Sequence, residues 1–172
     1  LWIDGIATTS PDVIVPLAQK HGVTLYPSIR RALLHGATGE GQLGEIDGVL
    51  VVGEHGDYPN SETGREMHPR RYFCEQILGS FAECGKSLPI FNDKHLAYSW
   101  TDAAWMWERA RELGAPLMAG SSLPLAWRSP QLEHAKGTPI EAALSIGFSA
   151  VESYGFHACE TLQVRLTPFT SI

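Results

Sequence analysis

A chain of 172 residues, 44% hydrophobic and 19% charged, is long enough to bury a core without disulfide or metal staples, and no segment reaches the roughly 18 to 20 consecutive apolar residues of a membrane span. The formal net charge of −6 argues against a broad nucleic-acid surface, which needs clustered Lys and Arg; the one basic cluster, Arg65 with Arg70 and Arg71, is short and interleaved with acids. Cys74, Cys84 and Cys159 make no C-x-x-C pair and no even framework, so three reduced thiols of a cytoplasmic protein are expected. LWIDGIATTS lacks the basic and apolar regions of a secretory signal.

In chain order, residues 11–21 have helical character and end at Gly22, and VTLYP at 23–27 reads as a first strand. A short helix is expected over 29–35. IDGVLVVG at 46–53 is the strongest strand, a nearly continuous β-branched run of the kind covered on both faces of a parallel sheet. Residues 54–68 are polar, rich in Gly, Pro, Asn and Ser, and long for a strand-to-helix connection. In 69–84, Phe73, Ile77, Phe81 and Cys84 recur as one helical stripe, widened by Cys74 and Leu78, and Gly85 follows as a cap.

LPIFN at 88–92 is the next strand. The spacing of Ala103, Met106, Trp107, Ala110 and Leu113 predicts a helix over 101–113, capped by Ser99 or Thr101 and closed at Gly114. PLMAG at 116–120 is a further strand, residues 121–138 are irregular, and a strand at 140–148 precedes a helix at 152–164. Strands alternating with helices imply an α/β fold with an open, mostly parallel sheet and helices on both faces.

Ligands of such sheets bind outside the carboxyl ends of the strands. Three polar clusters fall at such ends: Gly53-Glu54-His55-Gly56-Asp57-Tyr58, Asn92-Asp93-Lys94-His95 and Gly120-Ser121-Ser122. Taken singly, each has a plain reading: a turn and cap at 53–56, an exposed ion pair at Asp93 and Lys94, a loop cap at Ser121, and a packed helix histidine at His157. Together on one edge they point to a site. A lysine beside a carboxylate can hold a hydroxyl or carbonyl oxygen and pass a proton. His55, Asp57, Asp93 and His95 are also metal-ligand types, although no H-x-H or H-x-x-x-H spacing accompanies them. No G-x-S-x-G elbow or G-x-x-x-x-G-K-[ST] loop is present.

Residues 88–120 resemble the stretch of Gfo/Idh/MocA-type oxidoreductases in which a strand ends in a Glu-Lys-Pro motif, followed by a helix and a strand ending near glycine. IDGVLVVGEHGDYP matches the preceding strand and loop. EHGDYP, FNDKHL, MAGSSLP and ESYGFHACETLQ together are similar to an uncharacterised bacterial branch of that superfamily. The likeness runs over residues 20–163 and is strongest from 46 to 124.

The resemblance implies a Rossmann-like domain using NAD or NADP over 1–122 and the start of an α+β substrate domain over 123–172. It also implies hydride transfer on a small sugar or polyol-like substrate, and a possible homo-oligomer. Lys94 matches the motif lysine near the nicotinamide and the reacting carbon, Asp93 matches the glutamate, and His95 stands where the family has proline. Asp93 and either His95 or His157 are expected to assist Lys94, with Gly53, Glu54 and His55 near the cofactor and Asp4 at the ribose. The family's first strand and glycine-rich turn should precede these residues, and GIATTS after Asp4 is no phosphate loop. The chain therefore reads as truncated at both ends, lacking the first βα unit, with weak or no nicotinamide binding of its own. The alternatives are a non-catalytic ligand-binding or assembly module, or a metal-dependent hydrolase or isomerase.

Overall fold

The computed structural model describes residues 11–37, 41–53, 57–127, 129–131, 134–135, 137–149 and 151–166. The chain divides into two compact units, Leu1–Ala119 and Gly120–Ile172.

In the first unit, α1 spans Pro11–His21 and α2 spans Ile29–Leu33. The Ser28 hydroxyl caps α2 by accepting from the Arg31 amide, and Ile29 and Leu33 are the residues α2 buries. Strand β1, Val49–Val51, is followed after the long loop by α3, Arg70–Cys84, and then by β2, Ile90–Asp93. Helix α4, Trp100–Glu112, leads into β3, Leu117–Gly120. The strands form one parallel sheet in the order β1-β2-β3, with Val49 opposite Ile90, Leu50 opposite Phe91 and Val51 opposite Asn92. An amide from Ile90 to the Pro116 carbonyl, 2.8 Å, ties β2 to the start of β3.

The two long helices follow their periodicity. Phe73, Cys74, Ile77, Leu78 and Phe81 of α3 are all buried, and Gly85 ends the helix with φ 59°, a left-handed conformation that suits a residue without Cβ. Ser99 caps α4, Asp102 lies in its first turn and Arg109 and Arg111 in its last, an arrangement that complements the helix dipole. Arg71 of α3 joins the two helices: its guanidinium lies 3.4 Å from the centre of the Trp105 ring and pairs with Asp102 at 3.2 Å. Met106 and Ala110 of α4 complete a core that also takes in Val51, Leu88, Ile90 and Ala115.

Several expected strands are shorter or absent. The run at 46–53 contributes only three residues to β1, which pair with Ile90, Phe91 and Asn92 of β2. The run at 88–92 becomes strand only from Ile90, since Pro89 has no N–H to give the sheet and offers only its carbonyl, to Val49 at 2.9 Å. Residues 23–27 form no strand: the Val23 amide closes α1 by donating to Ala18, and Val23 is exposed. Among the described residues the two faces of the sheet differ. Val51, Ile90 and Asn92 point into the core, whereas Leu50 is 71% and Met118 67% exposed on a face that forms an open cavity of about 600 Å³ with Phe91, Pro89 and Pro116.

In the second unit a 3₁₀ turn at Leu123–Leu125 and a π-helical turn at Val151–Gly155 pack against α5, Phe156–Leu166. The strand expected at 140–148 does not form; Leu144, Ile146 and Phe148 are exposed, with no ladder partner among the described residues. No helix among the described residues is long and apolar enough to cross a membrane. All three thiols are free, and burial pushes that of Cys74 up to about 12.

The two sheet faces make opposite predictions. Leu78→Ala, at a side chain 1% exposed beneath the sheet, is expected to cost about 3 kcal/mol in urea unfolding. Leu50→Ala on the open face should stay within about 0.5 kcal/mol of wild type. Equal losses would contradict the assignment of the core face.

Candidate functional site

The site in the first unit is built around the turn that follows β2. Asn92, alternating inward on its strand, is 1% exposed, yet carries an amide that must be hydrogen-bonded to be tolerated there. Its Nδ2 donates to the Asp93 carbonyl at 2.7 Å and to the His95 carbonyl at 3.3 Å. Arg70, the first residue of α3, is 3% exposed and donates from Nη1 to the same His95 carbonyl at 2.7 Å. A strand side chain and a helix side chain thus converge on one backbone oxygen. The peptide between Lys94 and His95 is cis.

This clamp presents Asp93 and Lys94. Lys94 Nζ donates to Asp93 Oδ2 at 3.1 Å, and the two side chains are only 22% and 15% exposed. The pair is therefore not the solvated surface ion pair that the sequence also allowed. In such partial burial the attraction between the charges is screened less than on an open surface. An ammonium has three donors and no acceptor, so the pair suits an oxygen-bearing ligand, hydroxyl or carbonyl.

The long polar loop closes one side of the turn. Its own fold rests on Ser61, whose amide donates to the Arg65 carbonyl at 2.7 Å and whose hydroxyl accepts from the Arg65 amide at 3.0 Å. An antiparallel bridge pairs Asn60 with Glu66. Arg65 reaches across to the Tyr98 carbonyl at 3.3 Å. Tyr58 lies edge-on to His68, and its hydroxyl is pushed up from the usual phenol range, first by burial and then by the nearby Glu66 carboxylate, with Arg70 opposing. Residues 57–69 and 93–98 thus form one structure at the carboxyl ends of β1 and β2.

Of the expected cofactor residues, Gly53 lies at this edge, where a Cβ would stand 2.7 Å from Cε2 of Phe73; glycine is what lets the chain pass over that ring. Glu54, His55 and Asp4 lie outside the described residues. Among the described residues no group of three or more His, Cys, Asp or Glu side chains is placed to hold a metal. A dinucleotide's pyrophosphate is held where a strand turns tightly through glycines into a helix. Here β1 reaches α3 only through residues 52–69, so the described residues do not fit that group.

The sequence also holds one glycine run of dinucleotide-binding spacing. Gly39-Glu40-Gly41-Gln42-Leu43-Gly44 has the spacing G-x-G-x-x-G, but it follows α2 and leads into β1, the reverse of a phosphate turn's strand-to-helix order. Gly44 has a packing reason: a Cβ on it would overlap the His35 carbonyl, and the Gly44 amide donates to the Leu33 carbonyl at 2.8 Å.

His157 belongs to the second unit, on α5. There it meets Ser121 and Glu160, with Nδ1 of the imidazole 3.1 Å from Glu160 Oε2 and 3.2 Å from Ser121 Oγ. Glu160 was not singled out from the sequence; its signal is the i,i+3 spacing from His157 on a helix.

No protein-family model matches the chain, and no curated protein or solved structure gives a significant match.

The clamp makes a local prediction. Asn92→Leu keeps the volume and removes both donors, and should cost roughly 1–3 kcal/mol in urea unfolding. It should also speed amide exchange at residues 94–98 well beyond the change in the rest of the unit. Unchanged relative protection of those amides would show that Asn92 does not hold the turn.

Proposed function

We propose that this chain is an oxidoreductase-like α/β protein that acts on a hydroxyl or carbonyl carbon of a small sugar or polyol-like molecule. The observation that carries the reading is the half-buried Asp93–Lys94 pair, held at 3.1 Å at the carboxyl end of a parallel strand. That is the edge where α/β sheets bind ligands. In this proposal Asp93 keeps the Lys94 ammonium in place, and Lys94 donates to the substrate oxygen as charge develops on it. Water is partly excluded by the loop over residues 57–69.

The Rossmann-like assignment of the sheet, the cytoplasmic setting and a homo-oligomer belong to the same proposal. So does NAD or NADP as hydride partner, implied by the resemblance around residues 88–120. Because the described residues form no pyrophosphate turn, this chain by itself is expected to hold a nicotinamide weakly.

The test is turnover of reduced or oxidised nicotinamide, supplied at roughly millimolar concentration, the range expected of weak binding, with a panel of hexoses and polyols. Wild type is expected to turn over at least one of them, and Lys94→Ala to lose about 10²-fold or more in kcat. Turnover unchanged by Lys94→Ala, or none by a folded wild type on any substrate with either nicotinamide, would reject the reading.

A further inference from the structure

Glu160 of the second unit sits at the centre of a hydrogen-bonded group whose proton positions can be worked out from the donors around it. The Ser121 amide, which can only donate, gives its proton to Oε1 at 2.9 Å. The Ser121 hydroxyl accepts the Leu123 amide at 3.1 Å, so its own proton must go elsewhere. Glu160 Oε2 at 2.5 Å is a much nearer acceptor than His157 Nδ1 at 3.2 Å. With protons arriving on both oxygens the group acts as an acceptor at each, the role an ionised carboxylate fills. His157 Nδ1, 3.1 Å from Oε2, must then bring a proton of its own for that contact to be favourable.

We infer that Glu160 is a positioning residue that holds the His157 imidazole with its proton on Nδ1, leaving Nε2 as the nitrogen that takes up or hands over a proton. The use made of His157 rests on the oxidoreductase reading, whose resemblance has His157 assist Lys94, but the tautomer itself does not. The side chains of His157 and Glu160 are 14% and 12% exposed, so water competes little for the contact. Tyr154 and Phe156 lie edge-on to the imidazole at 5.8 and 5.9 Å and fix its plane. An orienting carboxylate on one nitrogen selects which nitrogen is left for chemistry. The same proton count sends the Ser121 proton to the carboxylate and not to the imidazole, so Ser121 and His157 do not form a serine–histidine pair. Gly120 belongs to the device: a Cβ there would lie 3.2 Å from Oε1, the atom that the Ser121 amide needs.

The test is long-range ¹H–¹⁵N correlation of the imidazole nitrogens on the intact chain, at a pH where His157 is neutral. Wild type is expected to show the Nδ1–H form, the minor tautomer of a free histidine side chain. Glu160→Gln should move the population to Nε2–H, since the carboxamide can offer a donor to Nδ1. Glu160→Asp should retain a measurable share of the Nδ1–H form, and Gly120→Ala should shift it part of the way. A wild-type His157 carrying its proton on Nε2 overturns the inference, whether or not any variant folds, and so does a tautomer unmoved by Glu160→Gln. If the tautomer behaves as stated while wild type lacks all nicotinamide turnover, the positioning role of Glu160 stands and the oxidoreductase reading fails.

Discussion

The carbonyl oxygen of His95 is the point on which the first unit's functional edge depends. It accepts from Arg70 at 2.7 Å and from Asn92 at 3.3 Å, two buried side chains from different elements. Burying a guanidinium and a carboxamide is unfavourable unless their donors are satisfied. The turn after β2 is what satisfies them, so the position of α3 on the sheet and the path of residues 93–95 are set together. Loosening either partner leaves a buried polar group behind, which costs more than the bond is worth when made. The Asp93–Lys94 pair inherits its geometry from this clamp.

The rest of the unit is arranged around that requirement. α3 brings Phe73, Ile77, Leu78 and Phe81 against β1 and β2 and delivers Arg70 to the strand ends in the same stroke. The Arg71 bridge to Asp102 and Trp105 fixes where α4 starts, and with it the exit of the chain from the 94–98 segment. The long loop over 57–69 is anchored to this segment through Arg65 and Tyr98. Helix packing therefore determines both walls of the candidate site, although none of the packing residues is itself a reactive group.

The helices α3 and α4 were legible because a stripe at helical spacing, a hydroxyl cap and a closing glycine all agree, and each is a local signal. Strand extents were not, because they depend on partners distant in sequence: β1 is only the three residues that pair with Ile90, Phe91 and Asn92, β2 begins after Pro89, and among the described residues the apolar runs at 23–27 and 140–148 have no ladder to join. At the site, Asp93 and Lys94 could be picked out by their place after an apolar run. That Asn92 would be buried, and that Arg70 would be its partner rather than part of a solvated helix start, could not, since both follow from tertiary contact. Glu160 is legible only in part: its spacing from His157 is local, but its other partner, Ser121, lies 39 residues away. The run from Gly39 to Gly44 carries the opposite lesson, a complete motif whose context removes its meaning.

The central claim is that the clamped turn after β2, with the loop over 57–69, is where a small oxygen-rich ligand binds. Backbone amide shifts, followed while the chain is titrated with a panel of hexoses and polyols, test it most directly. The account predicts saturable shifts at residues 92–98 and 57–69 for at least one member, with the amides around Leu50 and Met118 on the open sheet face unmoved. Saturable shifts confined to that open face, or none with any member, would contradict it.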